Sequence, residues 1–299
     1  MVKKLLGIMR GPFLLLVPVC LAPAYACAYV EAGSLDLTLA ILIFVAGLTA
    51  HIAANALNEY EDFSSGLDFS TERTPFSGGS GTLVADSNFA PMALYTGLAG
   101  LLVTFTIGGY FLWQLGSTLV VPGLLGLAII VAYTRWINRF PLLCLFAPGV
   151  GFGLLMVNLS TLVLTGSVTY MSFWVSLPVT FLVSNLLLLN QFPDVDADRR
   201  VGRNHIAIAW GLPWAARVYT ALVLSTYVAI TLACIIGALP VQALLALVTL
   251  PAALWVASKA LRFESKNIKA LLPAMGVNVV LTLLTPLLLA GSILWQELS

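Results

Sequence analysis

The fold of this chain is decided by residues 171–192, which read MSFWVSLPVTFLVSNLLLLNQF. This stretch contains no charged side chain, and it is followed directly by PDVDADRR at 193–200, where acids and arginines are crowded together. A helix that crosses a membrane needs about 20 consecutive, mostly apolar residues. The stretch therefore predicts a transmembrane helix that ends in a charged motif at one membrane surface.

The composition of the whole chain agrees with this prediction. Of its 299 residues 60% are hydrophobic and 9% are charged, and the mean hydropathy is +0.99. Soluble domains carry about 25% charged residues, so this chain cannot cover a water-facing surface of the usual kind. Lipid forces the backbone to satisfy its own hydrogen bonds, in helices or in a closed barrel. The long unbroken apolar runs favour helices, and the composition predicts an all-α polytopic membrane protein.

Nine apolar stretches are long enough to span a membrane. We expect the whole chain, residues 1–299, to form a single membrane domain with an N-terminal first helix that is not a cleaved signal. The predicted spans are 11–30, 37–58, 91–113, 117–134, 142–165, 171–192, 214–238, 242–261 and 270–294.

The basic residues sort onto one side of this nine-span arrangement. The chain has 14 lysines and arginines, and twelve of them fall before the first span or after the second, fourth, sixth and eighth spans. The other two, Arg217 and Lys259, lie within the first turn of the seventh span and the last turn of the eighth, at the same membrane side. The positive-inside rule makes that side the cytoplasm. We therefore expect a cytoplasmic N-terminus and a C-terminus on the outside. A seven- or eight-span arrangement would break the sorting.

The first acidic motif lies at the end of the second span. It reads NALNEYEDFSSGLD from Asn55 to Asp68. On a continuing helix Asn55, Asn58 and Asp62 project from one face. Gly66 can end that helix and turn the chain, which would bring Asp68 back toward the same face.

The second acidic motif follows the sixth span and reads NQFPDVDADRR from residue 190 to 200. Asn190, Asp194 and Asp198 are spaced by four, so they also share a helical face. Pro193 is expected to kink the helix between them. Acidic side chains this close to hydrocarbon are costly and mark functional sites.

Two oxygen-rich faces at the same membrane depth favour a hard divalent cation. Mg²⁺ binds few carboxylates, keeps several waters and is usually bridged to substrate phosphates. Arg73 lies near the first motif, and Arg199 and Arg203 follow the second, where a guanidinium can fork across diphosphate oxygens. The segment 78–82 between them is rich in glycine, and such loops let backbone N–H groups approach phosphate. The sequence thus predicts a Mg²⁺–diphosphate site on the cytoplasmic side.

The paired motifs resemble those of the UbiA superfamily of intramembrane prenyltransferases, and the resemblance covers nearly the whole chain. Asn58, Asp62, Gly66 and Asp68 match the first motif of the branch that contains 1,4-dihydroxy-2-naphthoate prenyltransferases. The second motif of that branch is matched by Asn190, Asp194, Asp198, Gly202 and Arg203. Glu59 stands where this branch usually has Asp, and Asn204 and His205 replace the residues usual after the second motif.

The resemblance implies a UbiA-like helical bundle with a cytoplasm-facing active-site cavity. It implies Mg²⁺-dependent transfer of a polyprenyl group from an allylic diphosphate to an aromatic acceptor, most simply 1,4-dihydroxy-2-naphthoate in menaquinone biosynthesis. Expected partners are the polyprenyl diphosphate, the acceptor and membrane lipid, with no nucleic acid. Asp62, Asp68, Asp194, Asp198 and Glu59 are the implied metal ligands. Asn58 joins the four aspartates as catalytic, and the implied diphosphate-binding residues are Arg73, Arg199, Arg203, Asn55 and Asn190.

The allylic cation formed by loss of diphosphate would need a dry pocket with an electron-rich wall. Four aromatic residues near the motifs are candidates for this wall: Tyr60, Tyr133, Trp136 and Phe192.

Two alternatives remain at this point, and a third is disfavoured. A UbiA-type enzyme can have another acceptor, such as a different quinone precursor, a tetrapyrrole or a lipid. A cation-coupled transporter would also place acids and asparagines in a helical bundle, though usually near the membrane midplane and in broken helices. A CDP-alcohol phosphotransferase would need a D-G-x-x-A-R run, which the sequence lacks.

Overall fold

The structure, a computed structural model, describes residues 1–264 and 267–298. Lys266 and Ser299, which the topology prediction used, lie outside the described residues. Within these ranges all regular structure is helical, as the composition predicts. The α-helices are α1 (Val2–Ile8), α2 (Leu16–Ala32), α3 (Leu37–Ser64), α4 (Thr82–Ala85), α5 (Ala90–Leu115), α6 (Val120–Ala132), α7 (Pro141–Gly149), α8 (Met156–Thr165), α9 (Tyr170–Asn190), α10 (Val195–Arg200), α11 (Ile206–Ala209), α12 (Leu212–Ile235), α13 (Leu250–Leu261) and α14 (Ile268–Leu298).

Tighter and wider helical turns join several of these helices. The 3₁₀ segments are Gly11–Leu15, Leu67–Phe69, Ser87–Phe89, Gly116–Leu119, Ile137–Arg139 and Val241–Thr249, and a π-helix at Val150–Leu155 joins α7 to α8.

Eight helical runs in the described residues are long and apolar enough to cross a membrane, one fewer than predicted. They are Gly11–Ala32, Leu37–Ser64, Ser87–Ala132, Pro141–Thr165, Tyr170–Asn190, Leu212–Ile235, Val241–Leu261 and Ile268–Gln296. The difference comes from Ser87–Ala132, which is helical for 46 residues and includes two of the predicted spans.

The long run turns at Gly116, whose φ of 73° lies in the left-handed region. A straight helix of this length would measure about 69 Å, more than twice the bilayer core of about 30 Å. The part after the turn, α6, packs against both α3 and α5, so the run folds back on itself. The division into two spans, and with it the count of nine, stays a prediction.

The stretch quoted first, 171–192, forms the most buried of these runs. Helix α9 packs against α2, α7, α8, α12 and α14. The contacts with α7 and with the π-helix that follows it are close because Gly149 and Gly153 lie against α9, where a Cβ on Gly153 would approach the Thr180 backbone nitrogen to 2.5 Å. Small residues of this kind allow helix backbones to approach each other inside a membrane. The middle of α9 is therefore packed closely against its neighbours.

Candidate active site

A cavity of about 620 Å³ opens beside the ends of α3 and α9. Most of its lining is apolar and comes from α3, α5, α6, the π-helix and α8. Its polar end is formed by Arg10, Asn55, Asn58, Asp62, Asp68, Asn190, Asp194, Asp198, Arg203 and His205. The structure thus brings together eight of the eleven predicted site residues.

The first motif enters the cavity from the last turns of α3. Asp62 and Asp68 are 5% and 4% exposed. After α3 ends, Gly66 adopts a φ of 79° and reverses the chain, so that Asp68 lines the same cavity as Asp62. The two asparagines are held by the protein, because Asn55 donates to the Met9 carbonyl at 2.9 Å and Asn58 to Thr134 Oγ1 at 3.0 Å.

The second motif is not one continuous helix. Helix α9 ends at Asn190, the chain turns through Pro193, and α10 begins at Val195. Asn190, Asp194 and Asp198 nevertheless all line the cavity. Asp194 and Asp198 still lie one helical turn apart, as their spacing of four predicts, because Asp198 N–H donates to the Asp194 carbonyl at 2.8 Å.

Arg203 links the two motifs. Its guanidinium binds Asp62 Oδ1 and donates to Asp198 Oδ1 at 2.9 Å, and the other Asp198 oxygen lies 3.1 Å from His205 Nε2. Burial opposes the charged form of Arg203, but the two carboxylates outweigh it and raise the pKa of the guanidinium. One cation therefore neutralises an acid from each motif.

Arg10 is a second cation at the site, partly buried, which the sequence indicated only as a topology signal. Its Nε donates to Glu59 Oε1 at 2.8 Å, and its Nη2 lies 3.9 Å from Asp62 Oδ2. Arg10 has a φ of 50°, the only positive φ among described residues other than glycine. This conformation is uncommon for a bulky side chain, and the ion pairs with Glu59 and Asp62 hold it in place.

Glu59 is fully buried and lies outside the cavity lining. Besides Arg10 it accepts hydrogen bonds from the backbone N–H and the hydroxyl of Ser80, at 2.9 and 2.7 Å. Both carboxylate oxygens are thus occupied by the protein. This arrangement favours a positioning role for Glu59 over the metal coordination that the resemblance implies.

The glycine-rich loop contacts both motifs. The backbone N–H of Gly78 lies near the Asp194 carboxylate and favours its charged form. A Cβ on Gly79, where φ is 72°, would lie 2.8 Å from Asp68 Oδ1. With Ser80 bound to Glu59, three consecutive residues of the loop lie against acids of the two motifs.

Replacing Gly79 is expected to lower activity more than stability. Gly79→Ala puts a methyl group against Asp68 and forces an L-residue into the left-handed region, which costs about 1–2 kcal/mol. Gly33→Ala is the matched control, because Gly33 has a φ of 69° and nothing within 4 Å of its Cβ position. We expect similar losses of thermal stability in detergent, with a roughly tenfold fall in turnover for Gly79→Ala alone. Equal turnover in the two variants would contradict the proposed contact.

Two predicted diphosphate ligands do not reach the cavity. Arg73 is exposed, and its Nη2 donates to the Asp68 carbonyl at 3.4 Å. Arg199 has a side chain that is 58% exposed and lies 3.9 Å from Asp196. In this conformation the cationic side chains inside the cavity are Arg10 and Arg203 instead.

Several oxygens at the polar end lack a hydrogen-bond partner. Asp68 Oδ2, Asp194 Oδ1 and Asn190 Oδ1 are buried without one. Burial raises the pKa of Asp68 and of Asp194 to about 7, and neighbouring acids add to the shift in both. Such groups need a cation or donor that the protein does not supply.

These oxygens fit Mg²⁺ better than a metal held by protein ligands alone. In the described part of the chain no three His, Cys, Asp or Glu side chains lie close enough to hold an ion by themselves. Mg²⁺ is commonly bound through one or two carboxylates together with substrate phosphates. Asp68 and Asp194 offer one free oxygen from each motif, which suits that mode.

Of the four aromatic residues proposed to face the allylic cation, one lines the cavity and three do not. Tyr133 lines the cavity. Tyr60 packs instead with Ile8 and Leu83, the ring of Phe192 lies 5.9 Å from that of Phe263, and Trp136 is exposed. Tyr133 is the candidate that the fold places to face a bound substrate.

Comparison with known proteins agrees with this geometry. The sequence profile of the UbiA prenyltransferase family matches residues 15–280. The chain is 30% identical over 219 residues to a 1,4-dihydroxy-2-naphthoate octaprenyltransferase of Bacillus subtilis, covering 71% of this chain and 67% of that protein.

Solved structures of low sequence identity share the fold. A UbiA homologue from Aeropyrum pernix superimposes with a TM-score of 0.68 at 16% identity, covering 95% of this chain and 98% of that one. A UbiA homologue from Archaeoglobus fulgidus bound to DMAPP and Mg²⁺ gives a TM-score of 0.64 at 13% identity, with coverages of 98% and 99%.

Proposed function

The chain belongs to the UbiA prenyltransferase family, and we propose that it transfers a polyprenyl group from an allylic diphosphate to 1,4-dihydroxy-2-naphthoate, as a step of menaquinone biosynthesis. We further propose that transfer requires Mg²⁺ and occurs on the cytoplasmic side. The Bacillus relative supports this acceptor by its name, and the Archaeoglobus structure supports a Mg²⁺-bound prenyl diphosphate.

The observation that carries the proposal is the polar end of the cavity. Acids of two distant motifs meet there beside two partly buried arginines, at the mouth of a largely apolar chamber. A diphosphate with a hydrocarbon tail has this same division between charge and apolar surface.

Each part of the site has a distinct task in the proposed reaction. Asp68 and Asp194, with Asp62 and Asp198, would hold Mg²⁺, which would neutralise charge on the departing diphosphate. Arg10 and Arg203 are placed to bind diphosphate oxygens while pairing with the acids. The prenyl carbon–oxygen bond breaks and diphosphate leaves with the bonding electrons. A carbon–carbon bond forms to the acceptor ring, and the attacked ring carbon then loses the group it carried, a proton or the carboxylate as CO₂. The apolar wall, with Tyr133, keeps water from the reacting carbon.

Membership of a prenyltransferase family argues against the cation-coupled transporter. It leaves the identity of the acceptor to be tested. The test is transfer by purified protein in detergent, where a transporter has no sealed compartment to act across. We expect a labelled polyprenyl diphosphate to give a prenylated naphthalene product only with Mg²⁺ present. Product with 4-hydroxybenzoate, a chlorophyllide or a glycerol lipid, and none with the naphthoate, would overturn the proposed acceptor.

The apparent affinity for Mg²⁺ is expected to rise with pH. Asp68 and Asp194 have pKa values of about 7, so a proton competes with the metal at each carboxylate below that pH. Between pH 6 and pH 8 we expect the Mg²⁺ concentration for half-maximal activity to fall by about tenfold for one displaced proton and about a hundredfold for two. A requirement that does not change over this range would show that neither carboxylate binds the metal.

A further inference from the structure

His51 is a polar side chain in the apolar part of the cavity, and neither motif includes it. It lies on α3, eleven residues before Asp62 and thus about 16 Å away along the helix axis. It lines the cavity and is 8% exposed. The other cavity imidazole, His205, bonds to Asp198 and so belongs to the polar end.

The ring of His51 has no hydrogen-bond partner among the described residues. Its Nδ1 is buried without one. A neutral imidazole offers one donor and one acceptor. Buried polar groups in native proteins are almost always paired, so an unpaired one is a sign of a missing ligand.

The π-helix supplies an aromatic neighbour for this imidazole. Phe152 lies on Val150–Leu155, where the wider turn changes the direction of side chains, and such turns often occur at functional sites. The Phe152 ring meets that of His51 edge to face, with centroids 4.8 Å apart and planes at 81°. Phe152 also lines the cavity. Together the two rings form a small subsite with one aromatic wall and one unpaired polar edge.

We propose that His51 and Phe152 position the aromatic acceptor, with His51 bonded to a ring hydroxyl or carbonyl and Phe152 against the ring face. This inference rests on the proposed function. Of the two substrates in that reaction, the prenyl tail has no polar atom for His51, and the diphosphate is held at the acids. The aromatic acceptor has both a ring for Phe152 and oxygens that can hydrogen-bond to His51, so it is the substrate that fits this subsite.

The distance along α3 agrees with this assignment. From the level of Asp62 to that of His51 the cavity must contain the diphosphate, the reacting pair and the acceptor. Reacting atoms approach to about 3–3.5 Å before transfer, and a hydrogen bond adds about 2.9 Å. The separation of about 16 Å along α3 leaves room for the diphosphate and one aromatic ring beside these two contacts.

The test compares two substitutions of His51 in detergent-purified protein. We expect His51→Leu to raise the KM for 1,4-dihydroxy-2-naphthoate at least tenfold, about 1.4 kcal/mol, and to leave the KM for the polyprenyl diphosphate within twofold. His51→Gln keeps a donor and an acceptor and should restore most of the affinity for the acceptor. Thr161→Val, an isosteric change at a buried hydroxyl outside the cavity lining, should change neither constant.

Two outcomes would overturn the proposal in distinguishable ways. If wild-type protein transfers the prenyl group but His51→Leu leaves the acceptor KM unchanged, or raises both constants equally, His51 does not position the acceptor. If wild-type protein releases no diphosphate in response to any hydroxylated aromatic acceptor, the proposed function fails, and this inference fails with it.

Discussion

Asp194→Asn is expected to lower kcat by roughly a thousandfold, the scale at which loss of one charge-stabilising group slows an enzyme. The amide has the size of the carboxylate but cannot neutralise a cation. Asp194 Oδ1 is buried without a partner, so the substitution breaks no hydrogen bond at that atom. Loss of activity should therefore occur without loss of folded protein. The measurement is single-turnover transfer with labelled polyprenyl diphosphate, normalised to monodisperse protein.

Asp196→Asn provides the matched control for this experiment. It lies in the same motif two residues away, but its side chain is 80% exposed and pairs with Arg199 outside the cavity. We expect turnover within about twofold of wild type, because an exposed ion pair contributes little. Equal losses in the two variants would mean that the charge of the motif matters rather than the position of Asp194.

Arg203→Gln is expected to have the second largest effect, a loss of activity on the order of a hundredfold or more. Removing this guanidinium leaves Asp62 and Asp198 facing each other without their shared cation. The protein should also lose stability, since breaking a buried ion pair costs about 3–5 kcal/mol. Arg203→Lys should recover only part of the activity, because an ammonium group cannot reproduce the two-pronged contact.

The control here is Arg200→Gln, a neighbouring arginine on the exposed side of α10. Both variants should be assayed for transfer and for thermal unfolding in the same detergent. Retention of wild-type activity by Arg203→Gln would contradict a role for this residue at the diphosphate. A similar loss in Arg200→Gln would indicate that general positive charge, rather than the link between the motifs, is what matters.

The parts of the site that could be predicted from the sequence depend on local spacing. The turn at Gly66 and the distances between Asn58, Asp62 and Asp68 are set within a few residues, so the chain itself determines that they face one cavity. The helical character of 171–192 follows equally from its composition. Such short-range features need no knowledge of the tertiary fold.

Local spacing could not predict which of the arginines after the second motif enters the cavity. Arg199 lies on the exposed side of α10, whereas Gly202 adopts a φ of 82° and lets the Arg203 N–H return to the Asp198 carbonyl. This helix-ending turn carries the Arg203 side chain inward. The place of Arg10 in the site could not be predicted from the sequence for a different reason. Its partner Glu59 is 49 residues away, and no local pattern indicates a pairing across that separation.

The backbone conformation of the second motif also could not be predicted from the spacing of its residues alone. The spacing of four together with Pro193 predicts a kinked helix, but the helix is interrupted, because α9 ends at Asn190 and α10 begins only at Val195. The residues still converge because the intervening turn is held by the buried Phe192 on one side and by the Gly78 loop on the other. Both contacts are tertiary and have no counterpart in the local sequence.

The most direct test of the central claim is to locate the metal. We would crystallise the protein with Mn²⁺ in place of Mg²⁺ and a non-reactive prenyl thiolodiphosphate, and measure anomalous scattering. We expect metal peaks at coordination distance, about 2.1 Å for Mg²⁺, from carboxylate oxygens of both motifs, including Asp68 and Asp194, with the diphosphate bound beside Arg10 and Arg203. Metal bound to one motif only, or a diphosphate held away from both, would contradict the claim that the two motifs form one site.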